Sequence, residues 1–195
     1  MSSTKIGIIG AGNVGSALER GLKRAGNEVR AVAKDRAALR DMIAWADVVF
    51  LAVPYLAIDD VVKAVGEGLA GKTVVDVTNA LDEKMSLAVG FGTSGGEELQ
   101  RKVPKARVVK ALNTVFAQHM DSGRLGGKPL TAFVAGDDAS AKKKVLDLAS
   151  SIGFDAVDAG PLKNARLLEP AGYLNIQLGY VLGMGTQVGL SLLRG

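Results

Sequence analysis

Short apolar runs alternate with stretches of helical spacing from the N-terminus onward. KIGIIG, Lys5 to Gly10, is a compact apolar run that ends on glycine. In VGSALERGLKRAG, Val14, Leu18, Gly21, Leu22 and Ala25 fall on one helical face, and Gly26 is placed as a C-cap. EVRAV predicts a second strand. DRAALRDMIAWA predicts a short helix with Asp35 in the N-cap position. After its opening Asp47, DVVFLAVP is apolar throughout, as a strand buried on both faces is. LAIDDVVKAVGEGL is helical again, and KTVVDVTNAL is a strand that runs into a loop. Strands and helices in strict alternation with short links predict a parallel sheet covered on both faces.

The pattern then loosens. SLAVGFGTSGGEELQRKVP combines a Gly/Ser/Thr loop with a short helix, and RVVKAL is the next strand. NTVFAQHMDSGRLGGKP is a long polar connection, followed by the strand LTAFVAG. DDASAKKKVLDLASSIG is a helix with acidic residues at its start, where the macrodipole favours them. FDAVDAG is a last short strand. From Leu162 onward the residues are apolar on most sides, which predicts a buried helical tail. We therefore expect one compact unit, with a nucleotide-binding part over residues 1–160 and a helical segment over 161–195 that completes the substrate pocket.

Composition narrows the chemistry. The chain has 195 residues, a net charge of +4 and no cysteine, which excludes disulfides, thiolate catalysis and zinc–thiolate sites. The basic residues are scattered, and the run Lys142 to Lys144 reads as a solvated helix face. That charge suits a small anionic ligand better than nucleic acid. No apolar run reaches the ~18 residues of a membrane span, and the N-terminus lacks a signal-peptide pattern. The expectation is a cytoplasmic protein whose partner is a small redox substrate.

GAGNVG places Gly10, Gly12 and Gly15 in the G-x-G-x-x-G spacing, after a strand and at the opening of a helix. In that setting Gly10 permits the tight turn, Gly12 leaves room for a pyrophosphate, and Gly15 lets helix and strand pack closely. The fold class that follows is α/β: a Rossmann-like, doubly wound, mostly parallel sheet with a small C-terminal helical part. The cofactor-binding residues expected from this turn are Gly10, Ala11, Gly12, Asn13 and Val14. Asp35 stands 20 positions after Gly15, near the spacing of a ribose-binding acid. The strand, however, ends at Val32 or Ala33, so the reading position holds Ala33 and Asp35 falls to the next helix. Lys34 and Arg36 flank the space beside Ala33 and suit a 2′-phosphate, which favours NADP over NAD. Ala52, Val53 and Pro54 end the third strand, where ligands of such sheets bind. Pro54 also suits the first position of a helix.

Beyond the glycine turn, five stretches resemble the NADPH-dependent F420 reductases, a family whose NADP domain is shared with the STEAP metalloreductases. They are IGIIGAGNVGSAL, VVDVTNAL, TSGGEELQRKVPKARVVKALNTVFAQHM, FVAGDD and DAGPLKNARLLEP. The tail GMGTQVGLSLLRG also fits the family's end. The resemblance implies NADP(H) as cofactor, coenzyme F420 as co-substrate and a homodimer. It places the 2′-phosphate at residues 33–36, where the family has Ser-Arg-Arg and this chain has Ala33, Lys34 and Asp35. It adds Ile58, Thr78 and Asn79 to the cofactor site, and Leu81, Asn113, Thr114 and Met184 to the acceptor pocket.

Hydride transfer between nicotinamide C4 and a deazaflavin C5 needs placement more than acid–base help. The sequence offers no clear catalytic acid or base. His119, the only histidine, reads as a surface residue in a polar loop, and no Tyr-x-x-x-Lys occurs. Asn79 and Asn113 serve either as ligands of an amide or ring edge, or as turn residues. Arg166 and Glu169 read as pins between the last helices and the sheet. The expected function is an NADP(H)-dependent oxidoreductase acting on F420. The alternatives are a reductase of a flavin, quinone or metal chelate, and an NADP-binding sensor without turnover.

Overall fold

The computed structural model describes residues 3–195. Five strands follow the expected positions: β1 (Lys5–Ile9), β2 (Glu28–Val32), β3 (Val48–Leu51), β4 (Thr73–Asp76) and β5 (Arg107–Ala111). Between them lie α1 (Asn13–Arg24), α2 (Arg36–Trp45), α3 (Ile58–Val65) and α4 (Gly95–Lys102). A two-residue ribbon, β6 (Arg124–Leu125) with β7 (Lys128–Pro129), precedes β8 (Thr131–Gly136), α5 (Ala139–Ile152), β9 (Asp155–Asp158) and α6 (Ala165–Ile176).

The main sheet has seven strands in the order β2-β1-β3-β4-β5-β8-β9. The first five are parallel, and β1 sits between β2 and β3, with Ile8 opposite both Ala31 and Phe50. The chain therefore leaves β1 in both directions, and a crevice opens at the carboxyl ends of β1 and β3. β8 runs antiparallel to β5, because residues 113–130 form a buried turn and the small ribbon instead of a crossover helix.

Successive strand residues point to opposite faces, and both faces are apolar. Ile8, Phe50, Val75 and Val109 join Leu18 and Leu22 of α1 and Val145 and Leu148 of α5 in one core. Ile9, Leu51, Val74 and Val108 join Leu39 and Ile43 of α2, Ile58 and Leu99 in the other. Each fully buried leucine or isoleucine contributes about 1.5–3 kcal/mol, so the two layers fix the strand ends that frame the crevice.

The C-terminal expectation needs correction. The helix continues through a π turn, Gln177–Val181, and stops there. Gly183 and Gly185 adopt φ of +74° and +72°, which a helix does not accommodate. The remainder is an extended strap, not a buried helix. Leu190 O accepts from Thr131 N at 3.0 Å, and Leu192 N donates to Thr131 Oγ1 at 2.8 Å. The strap covers His119, which is buried and not a surface residue, and whose Nε2 lies 2.8 Å from Thr186 O. Tyr180, Val181, Leu182 and Met184 are exposed.

Candidate functional site

The three glycines of the first turn have separate physical jobs. Gly10 has φ +112°, and a Cβ on it would lie 2.2 Å from Ala52 O. A Cβ on Gly15 would lie 1.9 Å from Gly10 O. These two let the turn, β3 and α1 close on one another. A Cβ on Gly12 would meet nothing within 4 Å. It would point into open space at the N-terminus of α1, which has no side-chain cap and no acidic residue in its first turn. That end is left with free N–H groups and positive dipole, which suit a pyrophosphate.

The crevice above this turn is a cleft of about 520 Å³. Gly10, Ala11, Gly12, Ala33, Lys34, Arg36, Ala52, Val53 and Pro54 all line it, so it gathers nine of the expected cofactor residues from three strand ends. Asp35 caps α2: its Oδ1 accepts from Ala37 N at 2.9 Å and from Ala38 N at 3.1 Å. Its carboxylate is therefore engaged by α2, while Lys34 and Arg36 are exposed and carry no ion pair among the described residues. Ala33 provides the space between them.

Other expected residues fall elsewhere. Asn13 and Val14 form the first turn of α1 behind Gly12, where Val14 packs on the core. Ile58 is buried and does not line the cleft. The face that α3 turns toward the cleft is instead Ala57, Asp60, Val61 and Ala64, which were not expected there. A helical count from Pro54 would have found them.

At the ends of β4 and β5 lies a second set of loops under α6. Asn79 Nδ2 donates to Asn113 O at 3.0 Å. Asn113 Nδ2 donates to Asn79 Oδ1 at 3.2 Å and to Leu168 O at 2.8 Å. Gly172 fits against this pair, since a Cβ there would lie 2.5 Å from Asn79 Oδ1. The two amides thus clasp the loops to α6. Thr78 and Thr114 are buried beside them, and among the described residues their hydroxyls and Asn175 Oδ1 have no hydrogen-bond partner. Asn175 Nδ2 donates to Thr114 O at 3.2 Å, which fixes the amide orientation. Leu81 is half-buried, in a bridge to Leu87, and Met184 lies in the exposed turn after the π segment.

A buried ion cluster supports these loops. Lys110 of β5 is directly opposite Asp76 of β4. Its Nζ lies 2.9 Å from Asp76 Oδ2, 2.9 Å from Glu169 Oε1 of α6 and 2.7 Å from Thr78 O. Burial by itself would depress the Lys110 pKa, but the two facing carboxylates outweigh it and hold the ammonium above its ordinary value. Glu169 also accepts from Gly95 N and Gly96 N at 2.9 and 3.1 Å, at the start of α4. Arg166 grips Glu97 through two 2.7 Å bonds, and its hydrogen bond lowers the Glu97 carboxyl pKa. Both residues read as pins do tie α6 down, and their partners were missed. Lysine inside RVVKAL and aspartate ending TVVD are the signal, because charges in a doubly covered strand need buried partners. Tyr55, next to Pro54, donates to Glu98 Oε2, and burial pushes its phenol pKa well up, helped by that bond.

No helix among the described residues is long and apolar enough to cross a membrane. The family model for coenzyme F420-dependent NADP oxidoreductases matches residues 5–44 and 35–80. A solved structure from Arthrobacter sp. FB24, proposed to be an F420-dependent NADP reductase, superposes with a TM-score of 0.89 at 32% identity, over 98% of this chain and 100% of that one. The F420-dependent NADP reductase of Methanocaldococcus jannaschii is 29% identical over 175 residues, 80% of this chain and 76% of that protein. The rat metalloreductase STEAP3 is 32% identical over 106 residues, 54% of this chain, and this chain spans only 21% of its length. Likeness along the entire length of the Arthrobacter chain, joined to a glycine turn that falls inside the family match, establishes that this protein belongs to the coenzyme F420-dependent NADP oxidoreductase family.

Proposed function

We propose that this oxidoreductase passes hydride between NADP(H) and coenzyme F420. The observation that carries the reading is the nucleotide cleft at one end of the sheet, beside the loops that follow β4 and β5. The nucleotide cleft opens at β1, β2 and β3. The loops after β4 and β5, under α6, lie beside it and bury Thr78, Asn113 and Thr114. The nicotinamide and the deazaflavin supply the hydride chemistry, and the chain supplies position and dryness. The free N–H groups of α1 hold the pyrophosphate, Lys34 and Arg36 hold the 2′-phosphate, and Val53 and Pro54 wall the nicotinamide ribose. The buried hydroxyls of Thr78 and Thr114, unpartnered among the described residues, are the polar groups nearest the ring-edge position in this reading. Among the described residues no acid is paired with a base in the cleft, which suits a transfer between stacked rings. The relatives named as F420-dependent NADP reductases support the acceptor.

Stopped-flow mixing of the protein with NADPH and F420, followed at the deazaflavin absorbance, tests this directly. Saturable reduction at a rate above the uncatalysed reaction is expected. NADPH binding without F420 reduction would sink the F420 reading, and turnover of free flavin or ferric chelate alone would favour the metalloreductase-like alternative that the STEAP3 likeness supports. We also read the exposed apolar residues Leu167 and Leu174 of α6 and Tyr180 of the π turn as the seat of a homodimer. A monomer in sedimentation equilibrium would remove that reading.

A further inference from the structure

The outer end of the cleft is built from one helix face. Ala57, Asp60, Val61 and Ala64 recur at i, i+3, i+4 and i+7 and all line it, opposite Arg36 and Leu39 of α2. Leu39, Val61 and Ala64 make an apolar slot of the kind that takes the faces of a planar ring. Lys34 and Arg36 stand at the slot's inner edge, beside the strand end where the ribose phosphate belongs.

Asp60 breaks this pattern. Among the described residues it is the only carboxylate lining the cleft. Its neighbour Asp59 is paired with Lys102, whereas Asp60 has no hydrogen-bond or ion-pair partner among the described residues. In a cleft lined by cations for a polyanion, a free carboxylate repels the ligand unless an N–H or O–H of that ligand meets it. An ionised carboxylate only accepts hydrogen bonds. The adenine ring carries one N–H donor group on its edge, the exocyclic 6-amine. The ribose hydroxyls belong at the end of β2, across the slot from α3.

We propose that Asp60 is a specificity-determining residue that accepts a hydrogen bond from the adenine 6-amine of NADP(H). The proposal rests on the NADP reading of the cleft and adds the selection of the base. Asp60 thereby disfavours purines with a carbonyl at position 6, because their oxygen would face the carboxylate where the amine donates, and their one N–H, at N1, lies off that position.

Titration calorimetry with NADPH and with its hypoxanthine analogue, in which a carbonyl replaces the amine, tests this on three proteins. The parent should bind NADPH about tenfold more tightly than the analogue. Asp60→Ala should bring the two within about twofold of each other. Asp60→Asn should also bind both comparably, since its amide accepts from an amine and donates to a carbonyl. Asp60 is exposed, so the melting temperature of both variants should match the parent. An unchanged preference for NADPH in Asp60→Ala overturns the proposal. If both dinucleotides then bind more tightly, Asp60 is only a repulsive charge. If NADPH alone weakens relative to NADH at an unchanged base preference, Asp60 serves to hold Arg36. A parent protein that binds both forms equally overturns this proposal alone, whereas one that binds neither overturns the NADP reading with it.

Discussion

Alanine at Gly12 and alanine at Gly15 should separate binding from folding within one turn. The Cβ of Gly15→Ala would sit 1.9 Å from Gly10 O, and ordinary contact begins near 3.4 Å. About 1.5 Å of relief is therefore needed, and neither side yields easily. Gly10 is held by its own bond to Val32 O at 2.9 Å and lies against the Ala52 carbonyl. Gly15 is buried at the start of α1. Overpacking of this kind against rigid backbone costs about 3 kcal/mol or more, which for a chain of this length lowers Tm by roughly 6–12 °C. Gly12 differs on every count. Its φ of −78° and ψ of −166° are open to any residue, and nothing lies within 4 Å of the added carbon. As a helix N-cap it loses less than about 1 kcal/mol on becoming alanine. The new methyl stands where the pyrophosphate approaches, however, so loss of one charge-assisted N–H contact weakens NADPH by about ten- to hundredfold. Thermal melts by circular dichroism and calorimetric titration with NADPH measure both effects. The reasoning fails if Gly12→Ala binds NADPH like the parent, or if Gly15→Ala melts with it.

The part of this molecule legible in its sequence is the part whose physics is local. A strand buried on both faces is largely apolar, so the VVFL of β3 announces itself, and a turn that needs φ near +112° must be glycine. The capping of α2 by Asp35 was also local, because the strand ends at Val32 and the helix starts at Arg36. Contacts that join distant segments left weaker traces. Glu169 meets Gly95, Gly96 and Lys110 only after α6 folds across the loops of β4 and β5. Asn79 and Asn113 were equally compatible with turns and with ligands until their partners were known. The tail misled for a related reason. Its apolar residues pair as a strap along β8, and only the positive φ of Gly183 and Gly185 distinguishes that from a helix.

Two further consequences are measurable. Lys34→Ala combined with Arg36→Ala should weaken NADPH by about a hundredfold through two lost charge-assisted contacts and NADH by less than threefold, as measured by fluorescence titration; equal weakening of both would show that the cations do not hold the 2′-phosphate. The Glu97–Arg166 grip should show as a pH-dependent stability difference between the parent and Glu97→Gln. Its pKa in the folded protein lies below the ordinary 4.5, first because of the Arg166 hydrogen bond. A depressed carboxyl pKa contributes stability that is complete above the unfolded value and is lost as pH falls through the folded one. The pair is partly open to solvent, so the contribution is about 1 kcal/mol at pH 7 after screening. Urea unfolding of both proteins from pH 7 to pH 3 should therefore show a gap that is constant down to about pH 5 and closes below 4.5. A gap that persists unchanged at pH 3 would mean that Glu97 holds α6 by shape and not by charge.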